Sequence, residues 1–231
     1  MAEAETALIV GAGPGLSASL ARKLAASGRK VALAARNAEK LAGLVAETGA
    51  RAYPCDVADA GSVSALFAAV AGDLGAPDIV VFNPSARSRG PVADLVPEEV
   101  LRALTISAYG GFLVGREAAR AMEPKGRGTI LFTGASASVK GYPLSAPFAM
   151  GKFALRGLGQ SMARELGPKG IHVAHVVIDG GIRSDARPAP ADAPLSLLDP
   201  DAIAETYMHL IGQHPSAWTF ELEVRPHAER F

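Results

Sequence analysis

Residues 6–24 constrain the fold more than any other stretch. Thr6-Ala-Leu-Ile-Val10 is a short apolar run, Gly11-Ala-Gly-Pro-Gly15 interrupts it, and Leu16-Ser-Ala-Ser-Leu-Ala-Arg-Lys-Leu24 resumes at helical spacing. A strand, a glycine turn and a helix in immediate succession form the opening unit of a parallel α/β sheet. Glycines in that turn permit a tight reversal and a close approach of backbone to a pyrophosphate, whose charge suits the N-terminus of the following helix. On this reading Gly11, Gly13, Pro14, Gly15 and Leu16 are the first candidate cofactor-binding residues. The rest of the chain repeats the alternation. Further strands are expected at Lys30–Ala35, Arg51–Cys55, Asp78–Phe82, Gly128–Thr133, Gly170–Ile178 and Trp218–Val224. Helices are expected at 38–48, 59–74, 97–122, after Phe148, and at 201–212. The pattern predicts a doubly wound parallel sheet, the Rossmann arrangement, with about seven strands, helices on both faces and a ligand at the carboxyl edge. No linker or second core divides residues 1–231, so one domain is expected.

Composition narrows the function classes. Lys+Arg and Asp+Glu both number 23, so no charge excess points to nucleic acid or to an acidic membrane surface. No apolar stretch reaches the ~18–20 residues that span a bilayer. The start, Met1-Ala-Glu-Ala-Glu-Thr6, lacks the basic residues of a secretory signal, and a cytoplasmic protein is expected. The single cysteine, Cys55, excludes an internal disulfide and sits where a strand ends, as a packed thiol. The five histidines form no ligand set, His172 and His175 falling on opposite faces of a strand, so no metal is expected.

Thr133-Gly-Ala-Ser-Ala-Ser-Val-Lys-Gly-Tyr-Pro-Leu-Ser-Ala-Pro-Phe-Ala-Met-Gly-Lys152 runs from a strand end into a helix carrying Phe148 and, four residues on, Lys152. Two positions four apart share a helix face. This segment, with the opening glycine turn, resembles the short-chain dehydrogenase/reductase family, whose pair at these positions is Tyr and Lys and whose serine stands thirteen residues before the Tyr. Here those positions hold Phe148, Lys152 and Ala135, and the family's helix Asn falls on Ser107. The resemblance covers almost the whole chain. It implies that Asp56-Val57 meets the adenine, that Asn83, Pro84 and Ser85 replace the family's Asn-Ala-Gly on the cofactor floor, and that Gly180 and Ile182 contact the nicotinamide carboxamide. Asp179 takes the place of the family's Pro and Ser17 that of its last fingerprint glycine. The second strand ends in Ala35 without the acid that binds a 2′-hydroxyl, and Arg36 and Asn37 follow; a guanidinium suits a 2′-phosphate, which favours NADP(H) over NAD(H). The resemblance also implies a homodimer or homotetramer, through the small-residue faces of residues 107–115 and 151–159.

Phe148 has no proton to give and Ala135 no hydrogen bond to offer. Loss of a general acid typically costs ~10²–10⁴-fold in rate. Three readings follow. The favoured one is an NADP(H)-dependent oxidoreductase acting on a small-molecule substrate, with Ser136, Ser138, Tyr142 or Lys152 taking over the proton. The others are a non-catalytic NADP(H)-binding sensor or partner subunit, and an interaction subunit that has lost nucleotide binding. The substrate pocket is expected between residues 85–96, 142–147 and 183–198, with Arg87 and Arg89 as possible contacts.

Overall fold

The computed structural model describes residues 4–228. Seven strands, β1 (Thr6–Val10), β2 (Lys30–Ala35), β3 (Arg51–Pro54), β4 (Ile79–Phe82), β5 (Gly128–Thr133), β6 (Ile171–Ile178) and β7 (Glu221–Val224), form one sheet. Their spatial order is β3-β2-β1-β4-β5-β6-β7, and every neighbouring pair is parallel. The chain winds outward from β1 in one direction and, from β4, in the other. The sheet therefore reverses between β1 and β4, where a crevice must open beyond Val10 and Phe82.

A sheet buried on both faces needs apolar residues at every position, and β1 and β4 are buried throughout. Alternate residues feed two cores. Leu8, Val10, Val80, Phe82 and Phe132 pack with α3 (Ala60–Leu74), α5 (Gly110–Met122) and α6 (Ala146–Leu166). Ala7, Ile9, Val81 and Leu131 pack with α1 (Leu16–Ala26) and α7 (Pro200–Ile211), where Tyr207 donates or accepts a 2.8 Å hydrogen bond with Thr133. His172 and His175 lie on opposite faces of β6, as their spacing requires: His172 stacks on Trp218, and His175 bonds Glu221 at 2.9 Å.

Two expected helices are not continuous. Asn37 caps a 3₁₀ turn at Ala38–Leu41, its side chain accepting from the Glu39 amide, and α2 proper is Ala42–Thr48, ended by Gly49 at φ 69°. The long helix at 97–122 is split into α4 (Pro97–Leu104) and α5 by a π turn at Thr105–Tyr109. That wider turn presents Ser107 to the Ala86 amide, 3.2 Å away, a geometry no periodicity argument foresees. Asp59 caps α3, accepting from the Ser62 amide at 2.9 Å. Among the described residues no helix is long and apolar enough to cross a membrane.

Candidate functional site

A cleft of about 1430 Å³ occupies the crevice above β1 and β4. Its floor is built by close approach. A Cβ on Gly11, whose φ is +80°, would lie 2.7 Å from both the backbone nitrogen and the ring of Pro84, so the first fingerprint glycine is required by its own conformation and by the close approach of the chain after β4. Ser17 is buried and its hydroxyl donates to the Gly11 carbonyl at 3.2 Å while accepting from the Asn83 amide at 2.7 Å. The serine standing in place of a glycine thus ties the β1 turn to the end of β4.

Of the residues expected to hold a cofactor, Gly11, Gly13, Pro14, Arg36, Asn37, Asp56, Val57, Asn83, Pro84 and Ser85 line this cleft. Gly15 and Leu16 support the turn from behind, Leu16 being buried in the core under α1. Gly180 and Ile182 stand beyond the cleft wall: Gly180 packs on Pro226, and Ile182 bridges to Leu198. Asp179 is buried and held between Lys140 at 3.5 Å and Arg225 at 3.6 Å, an ionic fastening between the end of β6 and the loop before α6. At the far end of the cleft, Arg22, Lys40 and Glu47 join Arg36, which sequence reasoning missed because α1 and α2 meet there only after folding. Arg22 grips Glu47 with two bonds of 2.7 and 3.0 Å, leaving that acid engaged.

The four catalytic candidates are arranged differently from one another. Lys152 is 3% exposed, and its ammonium donates 2.7 Å to the Thr133 carbonyl. Burial, and then the charge of Arg87, push its pKa down to about 7. The side chain lies beneath the cleft rather than on its lining. Ser138 is fully buried and accepts the Ala135 amide at 3.1 Å, so its hydroxyl stabilises the turn after β5. Ser136 is half-buried, its carbonyl accepting from the Val139 and Lys140 amides. Tyr142 is exposed, with the Lys140 ammonium 5.8 Å from its ring.

Phe148 lies beside Lys152, whose ammonium is 5.9 Å from the ring centroid. Over the same ring, 4.1 Å from its centroid, sits the guanidinium of Arg87. Arg87 lines the cleft, as do Arg102 on α4 and Asp185 on the segment after β6. Of the three stretches expected to bound a substrate pocket, residues 85–87 and Asp185 reach the cleft, and residues 142–147 do not. The first two stretches are joined, since the Gly90 amide donates 3.1 Å to the Leu144 carbonyl. Behind the site His175 is fully buried, its pKa pushed down to about 4 by burial despite its bond to Glu221.

A doubly wound parallel sheet with an open cleft at its β1–β4 reversal defines a class of α/β fold on which many activities are built. The comparisons with known proteins narrow it: residues 5–191 match the model of the short chain dehydrogenase family, and the chain belongs to that family. It is 33% identical over 189 residues to trihydroxynaphthalene reductase PfmaI of Pestalotiopsis fici, covering 79% of this chain and 66% of that protein. It is 34% identical over 189 residues to versicolorin reductase 1 of Aspergillus parasiticus, covering 79% and 71%. Among solved structures, a short-chain dehydrogenase from Rhodopseudomonas palustris is 39% identical with a TM-score of 0.84, over 96% of this chain and 99% of that one. A metagenomic short-chain oxidoreductase in complex with NADP is 27% identical with a TM-score of 0.85, over 98% and 99%.

Proposed function

We propose that this protein is an NADP(H)-dependent oxidoreductase whose family tyrosine position is taken by Phe148. The observation that carries the reading is the cleft at the sheet reversal, whose lining includes Gly11, Gly13 and Arg36. Its residues fit a phosphorylated dinucleotide. The glycine turn offers backbone to a pyrophosphate at the start of α1, and Asp56 and Val57 stand where an adenine would lie. At the end of β2 there is Ala35 and no acid; the nearby Glu47 is occupied by Arg22, so Arg36 and Lys40 present positive charge to a 2′-phosphate. The complex of the metagenomic relative with NADP supports the same choice. Such a cofactor would supply the hydride.

The chain's own residues must then position the substrate and deliver the proton. Phe148 has no ionisable group, Ser138 is committed to the Ala135 amide, and Tyr142 faces outward. Ser136 and Lys152 remain of the set, and Lys152, one helical turn from Phe148 with its pKa lowered to about 7, is the proton carrier this reading favours. We propose further that the chain forms a homodimer or homotetramer through α5 and α6, where Tyr109, Phe112, Met150 and Phe153 are exposed. Sedimentation as a monomer at micromolar concentration would count against this.

The decisive test is fluorescence titration with NADPH and NADH on the wild-type chain and on Arg36→Glu. The expected result is tighter NADPH binding by the wild type, and loss of that preference in the variant. A salt-linked contact to a phosphate of about 1.5–3 kcal/mol corresponds to about 10–100-fold in affinity. Binding of neither nucleotide overturns the reading.

A further inference from the structure

Arg87 lines the cleft where a substrate would meet the site, and among the described residues no acid pairs with it. Its guanidinium lies 4.1 Å from the centroid of Phe148, and among the described residues it makes no ion pair. Like charges surround it instead. Burial first, then Arg187 and Arg89, lower its pKa. Arg187 belongs to the segment after β6, its guanidinium packed so closely on Gly181 that a Cβ there would lie 2.6 Å from Nη1. The acids nearby are turned elsewhere or stand apart. Glu99 accepts from the Ser88 hydroxyl at 2.8 Å, Asp199 is paired with Arg183, and Asp185 lines the cleft without an ion pair to any of the three arginines.

Like charges held together at the mouth of a crevice are a cost unless something anionic joins them. The donor chemistry tells what shape that anion has. A guanidinium held over an aromatic ring still offers a planar fork of N–H donors, which matches a planar bidentate acceptor. Phe148 is itself buried, so the platform is fixed before a ligand arrives. A tyrosine at position 148 would direct a hydroxyl to the reacting oxygen, whereas the phenylalanine here serves as the bed on which Arg87 is laid.

We propose that Arg87, with Arg187 and Arg89 around it, receives the carboxylate of the substrate, so that the site acts on small carboxylate-bearing compounds. This rests on the oxidoreductase reading for its catalytic meaning, but the anion site can be measured apart from it. The carboxylate would sit against the Arg87 donors, placing the adjoining carbon near the Phe148–Lys152 face of α6. Anion binding there also opposes the positive potential that lowers the Lys152 pKa, so occupancy and protonation of the lysine would rise together.

The test is calorimetric titration of the full chain with sodium oxalate, a planar unreactive dicarboxylate, with and without saturating NADPH. Parallel titrations use inorganic phosphate and the neutral amide acetamide. Arg87→Gln should weaken oxalate binding about 10–100-fold, the worth of a charged bidentate contact. Arg87→Lys should recover only part of the loss, because an ammonium keeps the charge without the fork. Oxalate binding that is Arg87-dependent in a chain that fails to bind NADPH supports the anion site and overturns the cofactor reading. NADPH binding without oxalate binding does the reverse. Oxalate affinity unchanged in Arg87→Gln, acetamide binding as well as oxalate, or phosphate binding better than oxalate each overturn the carboxylate proposal.

Discussion

Replacement of Lys152 by Met should make the protein more stable at neutral pH. Lys152 is 3% exposed, and its pKa is lowered from 10.5 to about 7. A group that gives up its proton at 7 in the folded chain and at 10.5 in the unfolded one leaves the unfolded state with more bound protons between those values, so stability rises with pH across that window. Read downward, the folded state loses about 1.4 kcal/mol per pH unit below 10.5 and reaches a deficit of about 5 kcal/mol at pH 7 and below. Methionine removes the charge and fills a similar volume. It also strands the Thr133 carbonyl, which accepts the lysine at 2.7 Å, at a cost of about 1–3 kcal/mol. The balance is a gain of about 3 kcal/mol at pH 7, or a rise in melting temperature of about 6–12 °C for a chain of this size. The assay is guanidinium unfolding and thermal melting of both proteins from pH 6 to pH 10.5. The variant should lead at pH 6–7 and lose its advantage by pH 10.5. A variant less stable at pH 7, or a difference that does not change with pH, would refute the argument that the fold carries this lysine at a loss.

A second buried base should act in the acid range. The pKa of His175 falls from 6.5 to about 4, so the unfolded state binds more protons between those values and the protein should lose about 3 kcal/mol as pH drops through that window. His175→Asn should remove most of that loss, read as the change in denaturation midpoint from pH 7 to pH 4.5; parallel profiles for the two proteins would mean His175 does not stay neutral on burial. Phe148→Tyr combined with Ala135→Ser should introduce NADPH-linked reduction of simple ketones, by the ~10²–10⁴-fold that a positioned acid contributes. Measured by NADPH absorbance, an unchanged rate in a variant that still binds the nucleotide would show that Arg87 over the ring, and not the missing hydroxyl, sets the chemistry.

The sheet was legible because most of its strands are apolar runs bounded by glycine, proline or a polar turn, a signal that needs no partner to be read. Thr6–Val10, Lys30–Ala35 and Gly128–Thr133 fall where the sequence puts them, and the others differ at their ends by up to three residues, as with Glu221–Val224, whose first pairing is set by His175 on β6. The glycine turn, Arg36, Asp56 and Asn83 could be placed in the cleft because each follows a strand end at the sheet's carboxyl edge. What stayed hidden depends on contacts between elements. The π turn at Thr105–Tyr109 leaves no mark in helical periodicity. Arg22 and Lys40 look like surface charges on separate helices until α1 and α2 are folded together. Arg87 reads as one of two arginines in a polar loop, and only the position of Phe148 gives it a platform. Ser138 and Lys152 were visible as polar residues, but a sequence cannot say that the Ala135 amide and the Thr133 carbonyl have already claimed them.

The Ser17 hydroxyl between Gly11 and Asn83 has a thermodynamic corollary. With both sides of the reversal latched, the floor of the cleft is as rigid before a ligand enters as after. Association on that half should lose little chain entropy, and the heat of binding should come mainly from new polar contacts rather than from ordering of the protein. A glycine at position 17 would leave the turn unlatched and shift that ordering to the moment of binding. On the proposed reading, a floor set in advance leaves the choice between nucleotides to charge at its rim.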